Sequence, residues 1–332
     1  MKPEYIKLEE EYCKFVGTSG CVTTNTGTGA LHLALEGLNL EPGDEIIVPE
    51  FTMIASAWSV VYAGLKPVFV DCDEELLIDA SKIVNKITSH TKAIMVTHIY
   101  GRVCDMSSIM NIANKYGLRV IEDACESQGA FYGGDEGSAT IPNKMVGSYD
   151  IGCFSFYRNK IVCAEEGGAI TTDDKELLKR CADLKSMSFG ENHDYLHGKI
   201  GFNYRMTDGQ ATKALESLKN VEKNNKKRKK IERWYNNFIP DYIKMPDTRK
   251  VVWVYDIKIP DERKDDLVKF LNNRNIAARH SFKPMSMQPT FNYNYKHLNA
   301  YKMSRKVCYL PVFPDLRETD VADICKLVKE FL

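Results

Sequence analysis

The first half of the chain alternates short apolar runs with stretches in which apolar residues recur every three or four positions. The short runs predict buried strands, because each is predominantly apolar and is bounded by polar or turn residues; they lie at 45–49, 66–71, 93–97 and 118–123. The longer stretches predict helices, such as the one that places Leu31, Leu35 and Leu38 on one face. This alternation predicts a largely parallel sheet with helices on both faces.

A second, smaller unit is predicted in the C-terminal third. A long helix begins near Thr207, and the pattern then changes to a strand over 251–259, a helix over 261–273, a proline-spaced segment and an amphipathic terminal helix. We therefore predict a large α/β domain over residues 1–220 and a small α+β domain over residues 221–332.

The charge balance excludes a strong overall attraction to polyanions. Lysine plus arginine and aspartate plus glutamate both total 45, so the formal net charge is 0. A basic run at 223–233 is either a nucleic-acid-binding patch or the solvated face of a helix, and the neutral chain favours the helix face. We therefore expect no nucleic-acid partner.

The sequence indicates neither secretion nor membrane insertion. The N-terminus is charged and lacks the apolar core of a signal peptide. The most apolar uncharged run, 51–65, is shorter than the roughly 20 residues that a membrane-spanning helix needs. The 10 cysteines are scattered without a Cys-x-x-Cys pair, which is typical of free thiols. We expect a cytoplasmic protein with no metal site and no membrane partner.

One lysine stands in an unusual place. The stretch 153–160 predicts an apolar strand that breaks into a polar turn, and a Gly-Gly step at 167–168 leads into a second apolar strand. Lys160 in this turn is either an ordinary surface lysine or a desolvated amine able to form a Schiff base, because burial disfavours the charged form of an amine. The turn by itself leaves both interpretations open.

Two further features favour the nucleophilic amine. A Gly27-Thr28-Gly29 turn opens a helix, and the free N–H groups of a helix start bind phosphate. Asp123 ends a predicted strand, and ligands of parallel sheets bind at the carboxyl ends of the strands. A phosphate-binding turn, a strand-end aspartate and a later lysine, in this order, are the minimum set for pyridoxal phosphate. The lysine would bind the aldehyde and carry protons, and the aspartate would pair with the pyridine nitrogen.

The same segments carry a resemblance to a known family. From about residue 8 to residue 330 the chain resembles the DegT-type nucleotide-sugar aminotransferases, most of all their GDP-perosamine synthase branch. The resemblance implies the type I, aspartate aminotransferase-like fold, which is a three-layer α/β sandwich with a smaller C-terminal α+β domain. It rests on the segments 27–35, 43–49, 67–71, 98–101, 122–126, 152–160, 166–168, 201–207 and 282–285.

The resemblance implies roles for the residues around the cofactor, pyridoxal 5'-phosphate. Lys160 would be the catalytic Schiff-base lysine, and Asp123 the partner of the pyridine nitrogen. Glu126 matches the position that bonds the phenolic oxygen of the cofactor. Met53 stands where many members place an aromatic ring stacked on the cofactor, and a thioether also packs on such a ring.

The resemblance implies a second set of contacts, to the phosphate and to the substrate. The phosphate would be held by Gly27, Thr28, Gly29 and Ser155 of one subunit and by Asn203 of the other subunit of a homodimer. Candidate substrate contacts are His98, Arg205 and Lys283.

The implied reaction moves an amino group from L-glutamate to C4 of a nucleotide-linked 4-keto-6-deoxy sugar. Three alternatives remain: amination at C3, a sugar dehydratase of the same fold, and a cofactor-binding homologue without catalysis. The dehydratases carry a histidine in place of the lysine, so Lys160 argues against them. Two departures concern the substrate: Ser286 replaces a histidine that is frequent in the family, and the N-terminal arm that walls the site in other members is missing.

Overall fold

The computed structural model describes residues 2–133, 144–189, 195–291 and 298–332. Its main element is a seven-stranded sheet in the order β1-β7-β6-β5-β4-β2-β3. The strands are β1 (Gly20–Thr24), β2 (Glu45–Pro49), β3 (Lys66–Val70), β4 (Thr91–Thr97), β5 (Arg119–Asp123), β6 (Ile151–Ser155) and β7 (Gly168–Thr172). All pairs from β3 across to β6 are parallel, and β7 is antiparallel to both of its neighbours. The predicted largely parallel sheet is confirmed.

Helices cover both faces of this sheet. They are α1 (Glu4–Val16), α2 (Gly27–Gly37), α3 (Ile54–Tyr62), α4 (Ala80–Ile83), α5 (Met106–Tyr116) and α6 (Lys175–Leu184). One core joins α1 and α5 to sheet residues such as Ile47 and Val96, and the other joins α2, α3 and α6 to residues such as Ile46 and Met95. Successive strand residues point to opposite faces, so nearly every position of the central strands is buried. The predicted three-layer α/β sandwich is confirmed.

The ends of these helices follow from local sequence. The Asp105 carboxylate accepts a hydrogen bond from the Ser108 N–H at the start of α5, at 3.1 Å. Gly117 ends the same helix in the left-handed conformation, with φ of 66°. These two local caps therefore fix where α5 begins and ends.

The C-terminal region forms a second sheet with its own core. This region begins with α7 (Asp208–Lys219) and α8 (Val221–Phe238) and continues through β8 (Tyr255–Lys258), α9 (Lys264–Asn272), β9 (Arg279–His280), α10 (Asn299–Ser304), β10 (Val307–Leu310) and α11 (Glu318–Phe331). The three strands pair antiparallel in the order β8-β10-β9. Residues from α8, α9 and α11 pack on this sheet. The boundary at residue 220 stays a prediction.

The structure corrects two elements expected from the pattern. The single long helix after Thr207 is two helices that meet at Asn220. The strand expected over 251–259 is confined to Tyr255–Lys258, because residues 251–254 turn towards the main sheet instead of continuing the ladder. The stretch 132–147 is rich in glycine and predicts a loop, and residues 134–143 of it lie outside the described residues. Within the described part of the chain, no helix is both long enough and apolar enough to cross a membrane.

Candidate active site

A cleft of about 350 Å³ opens at the carboxyl ends of the parallel strands. Its base is formed by Asp123, Glu126, Ser155 and Lys160, which we call the strand-end floor. Three aromatic side chains from the C-terminal half, Trp253, Phe282 and Tyr309, form the opposite side, which we call the C-terminal wall. Of the residues predicted from the sequence, the cleft brings together Gly27, Thr28, Met53, Asp123, Glu126, Ser155 and Lys160.

Lys160 lies in the connection between β6 and β7. Two backbone hydrogen bonds fold this connection back on itself, from Arg158 N–H to the Glu165 carbonyl at 3.0 Å and from Ala164 N–H to the Phe156 carbonyl at 2.7 Å. The Lys160 side chain is 12% exposed, and its Nζ lies 3.7 Å from Glu126 Oε1. Lys160 is therefore held inside the cleft, which excludes the surface-lysine interpretation.

Asp123 is the last residue of β5 and is almost fully buried. Its Oδ2 accepts a hydrogen bond from Ser56 Oγ at 2.8 Å, and its Oδ1 accepts one from the Cys125 N–H at 3.2 Å. Both donors are neutral, so they orient the carboxylate without neutralising its charge. A cationic group in the cleft, such as a protonated pyridine nitrogen, is the partner that this carboxylate favours.

Glu126 links the strand-end floor to the loop after β4. Its Oε2 accepts a hydrogen bond from the Tyr100 N–H at 3.0 Å. Burial raises the pKa of this carboxyl to about 7, although the charge of Lys160 and the Tyr100 hydrogen bond act in the opposite direction. Glu126 can therefore gain or lose a proton near neutral pH, directly beside the amine of Lys160.

The start of α2 forms a cradle with Ser155. Thr26 Oγ1 accepts a hydrogen bond from the Gly29 N–H at 2.9 Å, and Gly27 and Thr28, the first two residues of α2, line the cleft. A Cβ added to Gly27 would lie 2.6 Å from Ser155 Cβ, so only glycine allows the helix start to approach this serine. Free N–H groups, a hydroxyl and the positive end of a helix dipole suit a phosphate dianion.

These groups fit pyridoxal phosphate. The cradle suits its phosphate, the Asp123 carboxylate suits its protonated ring nitrogen, and the amine of Lys160 suits its aldehyde. The cleft is also closed on one side by aromatic rings, which pack well against a flat ring.

The structure does not bring every predicted residue into the cleft. His98 is fully buried, and both of its ring nitrogens are bonded within the protein, to Glu122 Oε2 at 3.0 Å and to the Cys104 N–H at 3.2 Å. Both ring nitrogens thus have partners within the chain, and the substrate contact predicted for His98 stays a prediction. Gly29 is at the start of α2, but its N–H donates a hydrogen bond to Thr26 Oγ1.

Three predicted residues lie on the surface of this chain. Asn203, Arg205 and Lys283 are exposed and are not among the residues that line the cleft. For Asn203 this is compatible with a role towards another subunit, which stays a prediction. The roles of Arg205 and Lys283 also stay predictions.

Sequence reasoning missed the C-terminal wall and several supports of the strand-end floor. Gln128 is one such support, because its Oε1 accepts from the Val162 N–H at 2.7 Å and its Nε2 donates to the Ser155 carbonyl at 3.1 Å. In the sequence, Trp253 is part of an apolar run that predicts a strand. No local signal connects residue 253 to residue 160, since their proximity arises from the packing of two regions.

Comparison with known proteins gives consistent results. The model of the DegT/DnrJ/EryC1/StrS aminotransferase family matches residues 1–329. The GDP-perosamine synthase of Caulobacter vibrioides is 35% identical over 98% of this chain and 90% of its own length. The UDP-N-acetyl-3-dehydro-α-D-glucosamine 3-aminotransferase of Acidithiobacillus ferrooxidans is 34% identical over 98% of this chain and 88% of its own.

The structural comparison agrees with the sequence comparison. DesV of S. venezuelae, solved in complex with a ketimine intermediate, superimposes with a TM-score of 0.90 at 29% identity, over 100% of this chain and 90% of that one. The resemblance, the fold class and the cofactor predicted from the sequence are confirmed.

Proposed function

We propose that this protein aminates C4 of a nucleotide-linked 4-keto-6-deoxy sugar. The chain belongs to the DegT/DnrJ/EryC1/StrS aminotransferase family and is a pyridoxal-phosphate-dependent sugar aminotransferase. The amino donor is L-glutamate. The observation that carries the proposal is the buried amine of Lys160, which lies beside Glu126 in a cleft that also contains Asp123 and the α2 cradle. The similarity to a GDP-perosamine synthase supports C4 as the position of amination.

Pyridoxal phosphate, when bound, supplies an electron sink that stabilises negative charge on the carbon next to the reacting nitrogen. Asp123 supports this chemistry by keeping a positive charge on the ring nitrogen. Ser56 and the Cys125 N–H hold the Asp123 carboxylate in place for that task. Gly27, Thr28 and Ser155 bind the phosphate and thereby fix the position of the ring.

Lys160 moves the proton. Its Nζ would take a proton from the α-carbon of the amino donor and deliver it to the cofactor carbon bonded to the same nitrogen, and in the second half-reaction it would take a proton from that carbon and deliver it to the sugar carbon. Glu126, with its pKa of about 7, exchanges protons with groups in the cleft near neutral pH. The aromatic C-terminal wall excludes water from the amine, which strengthens each of these electrostatic contacts.

The site is proposed to be completed by a second copy of the chain. Asn203 is exposed and would contact the phosphate in the partner's cleft. Mixing inactive Lys160→Ala and Asn203→Ala proteins tests this arrangement, because a mixed dimer would contain one intact site. Partial recovery of activity supports shared sites, whereas activity that stays at the level of the separate variants contradicts them.

A substrate panel tests the reaction. GDP-, UDP- and dTDP-linked 4-keto-6-deoxy sugars are incubated with L-glutamate, and the sugar product is detected by mass while 2-oxoglutarate is measured in parallel. We expect an amino sugar and an equal amount of 2-oxoglutarate with at least one 4-keto substrate. Absence of both products with every 4-keto sugar would contradict the proposal.

Amination at C3 is the second candidate, because the chain is nearly as similar to a 3-aminotransferase as to a C4 enzyme. A 3-keto nucleotide sugar in the same panel distinguishes the two. A product formed only from the 3-keto substrate would replace C4 by C3 and leave the cofactor chemistry unchanged.

A further inference from the structure

Trp253 lies directly against the reacting amine. The Nζ of Lys160 is 4.0 Å from the centre of the Trp253 ring, and the indole is 5% exposed. The indole N–H donates to the carbonyl of Asn159 at 2.9 Å, and Asn159 immediately precedes Lys160. One side chain therefore contacts both the amine and the turn that carries it.

An arginine holds the backbone on either side of this indole. Arg228 of α8 is buried, and its Nη1 donates to the carbonyls of Trp253 at 3.1 Å, Val312 at 3.1 Å and Val252 at 3.4 Å. Burial lowers the pKa of Arg228 to about 10. Within the part of the chain that the structure describes, Arg228 forms no ion pair, so backbone carbonyls stabilise its charge. These hydrogen bonds hold the backbone at Trp253 in place, although burying the charged guanidinium of Arg228 costs desolvation free energy.

The chain just before Trp253 is hydrogen-bonded to the loop that follows β4. The Gly101 carbonyl accepts hydrogen bonds from the N–H groups of Lys250 at 2.9 Å and Val251 at 3.3 Å. Gly101 has φ of +87°, and a Cβ there would lie 1.9 Å from the Val251 carbonyl oxygen. The neighbouring Tyr100 N–H holds Glu126. The same loop therefore positions Glu126 on one side of Lys160 and Trp253 on the other.

We propose that Trp253 is a catalytic residue whose indole face holds the amino group of Lys160 as an ammonium ion. This inference rests on the proposed role of Lys160. A cation is attracted by the negative face of an aromatic ring, most strongly by tryptophan and in places that exclude water. Lys160 contacts that face on one side and the Glu126 carboxylate on the other. These two contacts favour keeping on Nζ the proton that it takes from the amino donor until that proton is delivered.

The test measures how the cofactor-free enzyme captures pyridoxal phosphate at different pH values. Capture needs the neutral amine, so a residue that stabilises the ammonium form moves the pH midpoint of capture upwards. Capture is followed by absorption and confirmed by borohydride reduction with peptide mass analysis at Lys160. Because the readout is a pH midpoint, a purely structural loss of activity does not imitate it.

Two substitutions separate the two contacts of the indole. Trp253→Leu removes the aromatic face, and we expect the midpoint to fall by about 0.5 to 1 pH unit. Trp253→Phe keeps a face but loses the N–H to Asn159, so we expect a smaller shift with a lower turnover number. Trp234→Leu is the matched control, since Trp234 lies on α8 with Lys230 5.2 Å from its ring centre, and it should leave the midpoint unchanged.

The possible results are distinct. A Trp253→Leu protein with the wild-type midpoint would overturn the inference, even if its activity were low. If that variant does not fold, as judged by circular dichroism, Trp253→Met takes its place under the same criterion. A Lys160→Ala protein that still forms a borohydride-fixed adduct would instead overturn the proposed function. Loss of the adduct in Lys160→Ala together with an unchanged midpoint in Trp253→Leu would reject only the role of Trp253.

Discussion

The strand-end floor and the C-terminal wall meet at the same amine but are held in different ways. The floor residues sit on or just after strands of the main sheet, so short backbone and hydroxyl contacts orient them, such as Ser56 with Asp123. The chain next to the wall carries fully buried ion pairs. Arg102 pairs with Asp256 at 3.0 Å, and Arg249 pairs with the same carboxylate and with Glu232.

Substitutions in the two regions should therefore have different effects, on the reaction for the floor and on stability for the wall. Substitutions in the floor should change the reaction while the fold persists, because these groups face a cleft where a ligand can reach them. Substitutions in the network beneath the wall should change stability first, since a buried charge that loses its partner has no access to water.

The largest effect is expected from Lys160→Ala in the floor. The variant loses the proton carrier, and we expect turnover to fall by about a thousandfold or more. Steady-state production of 2-oxoglutarate measures the loss, and the urea midpoint should stay close to that of the wild type. Turnover within tenfold of the wild type would show that another group moves the proton.

Asp256→Ala is the matching change beneath the wall. Burial alone raises the pKa of Asp256, but the guanidinium groups of Arg102 and Arg249 outweigh it, so the carboxyl is charged at neutral pH and its pKa lies below the ordinary value. Removing it leaves the buried Arg102 guanidinium without its acidic partner and leaves Arg249 paired with Glu232 alone, and we expect a loss of about 3–5 kcal/mol in the free energy of unfolding. Urea denaturation checks this. Asp315→Ala, which removes the exposed pair with Lys227, is the control and should leave the midpoint unchanged.

Glu126→Gln should change the pH dependence of stability in the cofactor-free protein. The folded protein keeps the Glu126 proton up to about pH 7, whereas the unfolded chain releases it near pH 4.5. The folded state therefore binds more protons between these values, and its stability falls as the pH rises. Between pH 5 and pH 8 the wild type should lose up to about 3 kcal/mol relative to the variant. Urea unfolding at both pH values gives the difference, and the exposed Glu330→Gln should behave like the wild type.

The smallest effect is expected from Gly27→Ala at the cradle. The new methyl group would press on Ser155, so either the start of α2 or β6 must shift. We expect a cost of about 1–3 kcal/mol in stability together with weaker cofactor binding. Gly209→Ala in α7 meets no atom within 4 Å and should be neutral or slightly stabilising. Equal behaviour of the two variants would argue against a tight contact at the cradle.

The strand-end floor was predictable because its signals are local. Asp123 ends an apolar strand, and Lys160 follows a strand that breaks into a turn. Parallel strands bring their carboxyl ends to one edge, so the topology predicted from the alternation already gathers these side chains. His98 also follows a strand, but the structure turns its ring towards Glu122. The local signal places a residue at the edge of the sheet without deciding which way its side chain points.

The sequence by itself determined the alternation of strands and helices, the family and the set of groups that suit pyridoxal phosphate, because periodicity and order along the chain are local properties. Only the tertiary structure decided that residues 251–254 leave the predicted strand and place Trp253 on Lys160. That contact depends on Arg228 and on the approach of Gly101 to Val251. These groups lie far apart along the chain, so their contacts form only when the two regions pack together.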